Sequence, residues 1–453
     1  MSRKRLSIGV ATHMMDKIVV ALVQFMSVPI LVNGWGLNLF GIWSMMITIP
    51  TFLVLTDFGI VNSAVARMTR QVACDAWDEA RSTLHTAWTV SVTLIAIFLT
   101  AIAAIIWSLP EGSLSTTADF STSDARATIT MLLAYGLLTI LFRLNTAVLR
   151  STMRYSLAVV LGTGSYAIET VTVMTLVFLG YGPLLAAAAM LVLRILMIIA
   201  LLIVSARLTP RLKSGFAESS MATWQELWRP ALAASALGFG QVGYLQGSVL
   251  VLGMIAGPAS VPAFIAVRTL SRLGVQMSTL VSLPFSQEFA YAMGRDERLR
   301  AGRLFGIVLI VALVTSISMS LGLTLFGQAF IAFWTRDAIH ASMPLILLMG
   351  ISSAASMLWN PLANFILSIN EQRSYSYANV VASILGVIAI YLLAQGHGAT
   401  AAGFSFAFVD MVTLIAVLWH IGRQWFPSTD FRVGVTRSGK EFTRPIALLR
   451  GLR

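Results

Sequence analysis

Charge is what this sequence has least of. Charged residues make up 11% of its 453 positions, where a soluble domain carries about 25%, while 57% are hydrophobic. That balance excludes an ordinary water-soluble protein. The single cysteine, Cys74, excludes a disulfide framework and a cysteine metal site, and the five histidines are scattered, so no metal and no cofactor is expected. There is no Gly-x-x-x-x-Gly-Lys-Ser/Thr loop and no His-Glu-x-x-His, which excludes ATP bound by this chain and zinc hydrolysis of that type. Long polar loops are missing too. The longest on the side opposite the termini, around 109–125, is a solvated connector too small to hold an acceptor and catalytic carboxylates for glycan transfer.

What is present is a series of apolar runs. A hydrocarbon core about 30 Å thick needs roughly 20 apolar residues per helix. Runs of that kind recur at 12–33, 39–61, 84–108, 127–149, 157–180, 184–206, 231–256, 260–285, 304–333, 343–367, 378–395 and 399–422, separated by polar or Gly/Pro-bearing breaks. The fold class expected is an all-α polytopic membrane protein with about twelve transmembrane helices in two pseudo-symmetric six-helix lobes. The divisions are an N-terminal lobe over 1–206, a cytoplasmic linker over 207–230, a C-terminal lobe over 231–422 and a basic cytoplasmic tail over 423–453. Trp224, Leu227 and Trp228 mark the linker as interfacial.

The net charge of +12 is explained by topology. Of the 31 Lys and Arg residues, 24 fall on the side of the termini, only Arg126 and Arg336 fall on the other, and five lie inside runs. Both termini are therefore expected in the cytoplasm, and nucleic acid drops out as a partner. The basic N-terminus precedes a run too long for a secretory signal and without an Ala-x-Ala site, so it stays as the first span.

Ionisable residues inside spans cost roughly 2.5 to 3.5 kcal/mol each on insertion scales, so each is a functional candidate until a partner explains it. On the first span His13, Asp16, Lys17, Gln24 and Ser27 share an arc of about 100°. Two readings stay open there: Asp16 and Lys17 pair locally and snorkel, or the span lines a cavity with Lys17 as an anion contact. On the eighth span Arg268, Arg272, Gln276 and Thr279 share an arc of about 80°, with Arg268 near mid-membrane. Two arginines one turn apart repel, stay protonated, and have no acid on their own span or the seventh. Either an anion joins them, for which guanidinium forks and a diphosphate are well matched, or acids of other helices do. Gly243 and Gly247 on the seventh span, with Gln241 and Tyr244, leave room opposite them.

Glu169 and Arg194 lie at equal depth either side of the turn at Tyr181-Gly182, so a structural ion pair is expected, with Glu169 as a proton or cation site the other reading. Asp57 is expected level with Lys17 and close to the cytoplasmic surface, where capping or pairing is one reading. Arg143, two turns from Arg150, is expected to snorkel and to serve structure. Asp410, in the last span with Thr413 and Gly403, has no evident local partner and is a candidate for coupling-ion binding, as are Glu169 and Asp57.

The opening pattern Gln24-Phe-Met-Ser-Val-Pro29-Ile-Leu, Gly36-Leu-Asn-Leu-Phe-Gly41-Ile-Trp43, Leu55-Thr-Asp57-Phe-Gly59-Ile60 and Ala66-Arg67 resembles the bacterial polysaccharide repeat-unit flippases of O-antigen and exopolysaccharide synthesis. These form a branch of the multidrug/oligosaccharidyl-lipid/polysaccharide exporter superfamily. A looser counterpart of the second motif, Gly257-Pro-Ala-Ser-Val-Pro-Ala-Phe264, enters the eighth span. The resemblance implies a non-enzymatic flippase in the bacterial inner membrane. Its cargo would be an oligosaccharide on undecaprenyl diphosphate, carried from the cytoplasmic to the periplasmic leaflet by alternating access. Membrane lipids, a coupling H+ or Na+, and a glycan polymerase with its export machinery are the partners implied.

On that reading Arg268, Arg272 and Lys17 attract the diphosphate, and Gln24, Gln241, Tyr244 and Gln276 meet sugar hydroxyls. The alternatives are a multidrug and toxin extrusion antiporter, an integral-membrane glycan polymerase or ligase, and a scaffold for glycan assembly.

Overall fold

The structure, a computed structural model, describes residues 3–53, 57, 59–110, 117, 120–369 and 371–442. Within its helices the side chains of 3–11, 13, 229–230, 232–239, 241, 277, 280–281, 283–284, 287, 374 and 440–442 lie outside the description. Fourteen α-helices are described, and nine of them contain a stretch long and apolar enough to cross a membrane. By packing the chain divides into two units, Met1–Pro262 and Ala263–Arg453.

The first unit holds α1 (Arg3–Met46), α2 (Thr48–Leu53), α3 (Ile60–Ala73), α4 (Trp77–Ser108), α5 (Thr122–Ser151), α6 (Tyr155–Phe178), α7 (Pro183–Leu208) and α8 (Met221–Ala256). Two apolar runs merge in α1, which bends at Gly36, where φ is 74° and ψ is 174°. Such a φ is cheap only for glycine. The second run, expected as one helix over 39–61, is corrected: it continues through α2, and a new helix starts after Gly59 at φ 74°. The break has a local cause. The Asp57 carboxylate accepts the Gly59 N–H at 2.8 Å, an alternative to helical bonding, and Gly59 takes the left-handed conformation that follows.

α1 and α6 run side by side. Thr163 donates to Asp16, the Val177 side chain fills the space beside Gly34, and the Trp35 indole donates to the Tyr181 carbonyl at 2.8 Å. The short 3-10 turn Pro258–Ser260, which follows α8, packs against α1. There the Gly41 Cα faces the Pro258 carbonyl so closely that a Cβ would overlap it.

Of the stretch 207–230 expected as an interfacial linker, residues 209–220 are stapled to α4 and α8 begins at Met221. His85 Nδ1 accepts the Glu218 N–H at 3.0 Å, and Nε2 lies 3.0 Å from the Lys213 carbonyl. Thr86 accepts the Ser220 N–H, Arg81 donates to Glu218, and Ser214 donates to Asn145 on α5. Arg67 on α3 pairs with Glu226, by which point α8 has already begun. Through α8 this unit packs by contacts with α3, α2, α1 and α4.

The second unit holds most of α9 (Val261–Gly294), with α10 (Arg298–Thr335), α11 (Met343–Ser368), α12 (Arg373–His397), α13 (Ala399–Gln424) and α14 (Thr429–Phe442). Its core is a ring cluster: Phe289, Phe305, Phe365, Trp425 and Phe431 are all at most 1% exposed, with Phe289 and Phe365 centroids 4.6 Å apart. Burying five such rings contributes several kcal/mol by area alone.

The region expected as a basic cytoplasmic tail over 423–453 is folded through 442: Trp425 and Phe431 belong to the core and α14 packs along α10. Small residues allow this. Gly302 faces the Phe431 backbone, Gly306 faces Val435 and Ser438, and Gly434 faces the Leu299 carbonyl.

Candidate functional site

In the second unit, Arg268, Arg272, Gln276 and Thr279 project from one side of α9, as helical spacing requires. Arg268 is half-buried, with its guanidinium 5.1 Å from the centroid of Phe264 one turn away, and Phe264 in turn meets Phe406 of α13 edge-on at 5.2 Å. A buried ring under the cation favours it electrostatically and fixes its place. Arg272 is exposed although it sits eleven residues into a long apolar helix. Among the described residues no carboxylate comes within 4.0 Å of it; Asp410 of α13 acts on it only through space. One turn further, the Gln276 Oε1 is buried without a hydrogen-bond partner among the described residues.

Asp410 is not the isolated acid that sequence suggests. Ser352 and Trp359, both on α11, donate to its two oxygens, the Trp359 indole at 2.9 Å. Two donors hold the carboxylate in place while leaving its charge unneutralised. Thr413, one turn on, accepts from Asn379 at 2.9 Å. α9 is fastened to α11 by Ser278 donating to the Met357 carbonyl and by Asn364 donating to Ser282. The arginine-bearing helix and the helix that grips Asp410 are thus one framework.

In the first unit, Lys17 is 41% exposed and lies 3.6 Å from Asp16, which Thr163 also engages. Gln24 is exposed and hydrogen-bonds the Tyr166 side chain of α6. Tyr244 is buried, and its carbonyl accepts from Ser248. The side chains of Gln241 and His13 lie outside the described residues.

Glu169 and Arg194 meet at 2.7 Å and are 1% and 5% exposed. Tyr135 of α5 completes the group: it donates to Glu169 at 2.9 Å and accepts from Arg194 at 2.8 Å, and Arg194 also lies over the Tyr135 and Phe142 rings. Asp57, for which capping or pairing was one expectation, does both: it accepts the Gly59 N–H and pairs with Arg143 at 3.3 Å, which gives Arg143 its structural role in place of the snorkelling expected of it. A guanidinium held by a carboxylate has no need to reach the surface.

Sequence reasoning missed Tyr135, Ser352, Trp359, Thr163 and Tyr166. All but Tyr135, which is one hairpin from Glu169, lie on helices not adjacent in a hairpin to their partners, and the usable signal was only that each breaks an apolar stretch. No group of three or more metal-ligating side chains gathers among the described residues.

No family profile matches the sequence, and no curated protein matches it. Solved structures do match in shape. A multidrug resistance MATE family transporter of the MOP superfamily, in an inward-facing conformation, superposes with TM-score 0.71 at 14% identity, covering 95% of this chain and 99% of its own. The lipid II flippase MurJ, in an inward closed conformation, gives TM-score 0.71 at 13% identity over 95% of this chain and 90% of its own. A eukaryotic MATE transporter gives 0.57 at 18% over 96% and 98%. The fold is the one these transporters and this flippase share, and the chain is a multi-pass membrane protein, helical throughout its described spans.

Proposed function

We propose that this chain is a flippase for lipid-linked oligosaccharides, moving glycan repeat units on undecaprenyl diphosphate from the cytoplasmic to the periplasmic leaflet of a bacterial inner membrane by alternating access. The observation that carries the reading is Arg272: exposed, deep in an apolar helix, one turn from a second arginine, and with no carboxylate at ion-pair distance among the described residues. An arginine so placed is costly unless an anion visits it. A diphosphate headgroup offers paired oxygens to its fork.

In this reading Arg268 of the second unit and Lys17 of the first also attract the diphosphate, while Gln276 of the second unit and Gln24, Gln241 and Tyr244 of the first serve sugar hydroxyls. The grouping of spans into lobes 1–206 and 231–422 belongs to this proposal. A substrate shifts a transporter only by its differential affinity for two states, so a bias is needed. Asp410, with its charge preserved by Ser352 and Trp359, is where H+ or Na+ exchange would supply it. Glu169 serves structure through Arg194.

The second reading is a multidrug extrusion antiporter, favoured by the equal shape likeness to a MATE transporter. An exposed arginine repels organic cations, which argues against it. The deciding experiment deletes the gene and restores wild type or Arg268→Ala/Arg272→Ala. The flippase reading requires lipid-linked repeat units to accumulate on the cytoplasmic leaflet in the deletion and the double variant, with wild type clearing them. Normal export by an inserted double variant overturns it, and drug sensitivity without a glycan defect selects the antiporter. New glycosidic bonds made by the purified protein would select a polymerase or ligase.

A further inference from the structure

α14 buries one side and leaves the other bare. Phe431, Gly434 and Ser438 are buried, whereas Arg432, Val433, Thr436 and Arg437 are exposed, which at about 100° per residue are opposite arcs of one helix. Its height follows from its neighbour. The approaches of Gly302 to Phe431 and of Gly306 to Val435 and Ser438 lay α14 along the first turns of α10, both chains running the same way.

α13 has 26 residues, about 39 Å of helix, against a hydrocarbon core of about 30 Å, so its last turn reaches headgroup depth. Trp425, which follows it, packs on Phe305 at 5.8 Å and on Phe431 at 5.9 Å, which brings the first turns of α10 and the start of α14 to the same level. There Arg423 lies over the exposed Trp419 ring at 5.3 Å, beside the partly exposed Phe426. Aromatic rings next to cations at a span end are interfacial anchors.

The arginines at the neighbouring α9–α10 turn have partners. Arg298 pairs with Asp296 at 2.7 Å, Arg300 with Glu288 at 2.7 Å and Glu297 at 3.3 Å, and Arg295 with Glu297 at 3.9 Å. Arg423, Arg432 and Arg437 have no carboxylate within 4.0 Å among the described residues, and Asp430, exposed on the same helix, bonds none of them. Three cations without a carboxylate at headgroup depth, beside rings suited to the interface, call for an anion that lies in the membrane plane.

We propose that Arg423, Arg432 and Arg437 form a binding surface for the headgroup phosphates of anionic phospholipids, with α14 held against the bilayer as a docked collar of the second unit. Guanidinium forks take phosphate oxygens bidentately, and basic residues near an anionic leaflet add attraction singly. The surface is separate from Arg268 and Arg272, so it stands or falls independently of the flippase reading.

The test uses the full chain, purified and titrated with phosphatidylglycerol or phosphatidylcholine, with retained lipid counted by native mass spectrometry. Wild type is expected to prefer phosphatidylglycerol. Arg432→Gln with Arg437→Gln, and the triple variant with Arg423→Gln, should lose about fivefold in that preference per arginine. Lysine at the same positions should restore most of it. All three side chains are exposed, so folding is retained and is checked by size-exclusion profile and helical circular dichroism. An undiminished preference in the triple variant overturns the proposal, as does its absence in wild type. Equal competition by soluble glycerol phosphate would identify a free-phosphate site instead and likewise overturn it.

Discussion

The Cα of Gly41, in the second half of α1, lies directly against the backbone carbonyl of Pro258, at the start of the turn after α8. Both residues come from the two motifs that sequence marks as a loose internal repeat, so the repeat's own counterparts touch one another. Gly253 makes a similar approach to Met45 close by. Replacing Gly41 with alanine puts a methyl group where the carbonyl already is. Overpacking of this kind costs about 1–3 kcal/mol, and because the obstacle is backbone the upper half of that range is expected. Thermal unfolding of Gly41→Ala in detergent checks it, with Gly243→Ala, whose Cβ would meet nothing within 4 Å, as the control expected to be nearly silent on packing grounds.

The Glu169–Arg194 pair predicts a specific non-additivity. Breaking a buried pair leaves an uncompensated charge at a cost of about 3–5 kcal/mol, whereas replacing both partners with apolar residues is often close to neutral. Arg194→Met alone should therefore be strongly destabilising and Glu169→Leu with Arg194→Met much less so. A double-mutant cycle on unfolding midpoints measures the difference, and simple additivity would mean the pair is not the unit.

Tyr135 is the bridge in that group. Tyr135→Phe removes a donor to Glu169 and an acceptor from Arg194 while keeping the ring under the guanidinium. Bonds to charged groups contribute about 1.5–3 kcal/mol. The loss should fall in that range and vanish in the background lacking both charges.

Asp410 is the only described acid acting on Arg272. Asp410→Asn keeps a side chain that Ser352 can still bond but removes the opposing charge. Tighter binding of a soluble pyrophosphate probe is expected, by on the order of 1 kcal/mol or about fivefold. Calorimetry at low and high salt tests it, and weaker binding would mean that Asp410 orients Arg272 rather than competing for it.

The staple on residues 209–220 predicts a local effect. His85→Ala removes a ring that bonds two backbone groups, the Glu218 N–H and the Lys213 carbonyl. Hydrogen exchange should rise across 209–220 with little change in α5 or α7.

Most of the helical architecture was legible because lipid imposes length and polarity rules on every span, and those rules are local in sequence. Equal depth across the turn at Tyr181-Gly182 was enough to place Glu169 with Arg194. The break inside the second run was not legible, since it depends on the conformation of Gly59 and on one capping carboxylate. That Asp57 caps or pairs was legible, but its partner was not, since several helices share any depth and Arg143 came from a helix that no hairpin argument reaches. The same limit hid Trp359 and Ser352 from Asp410. The region after Arg423 was read by its charge, while its fold is set by the spacing of Phe431, Gly434 and Ser438.

That last feature bears on how the chain can be trimmed. Shortening it before residue 429 looks, by composition, like removing loose basic ends. It would in fact pull Phe431 from its socket and expose the flat flank made by Gly302 and Gly306, leaving a sticky furrow at the foot of α10. Shortened versions ending there should clump during purification, whereas those ending past 438 should behave as single particles.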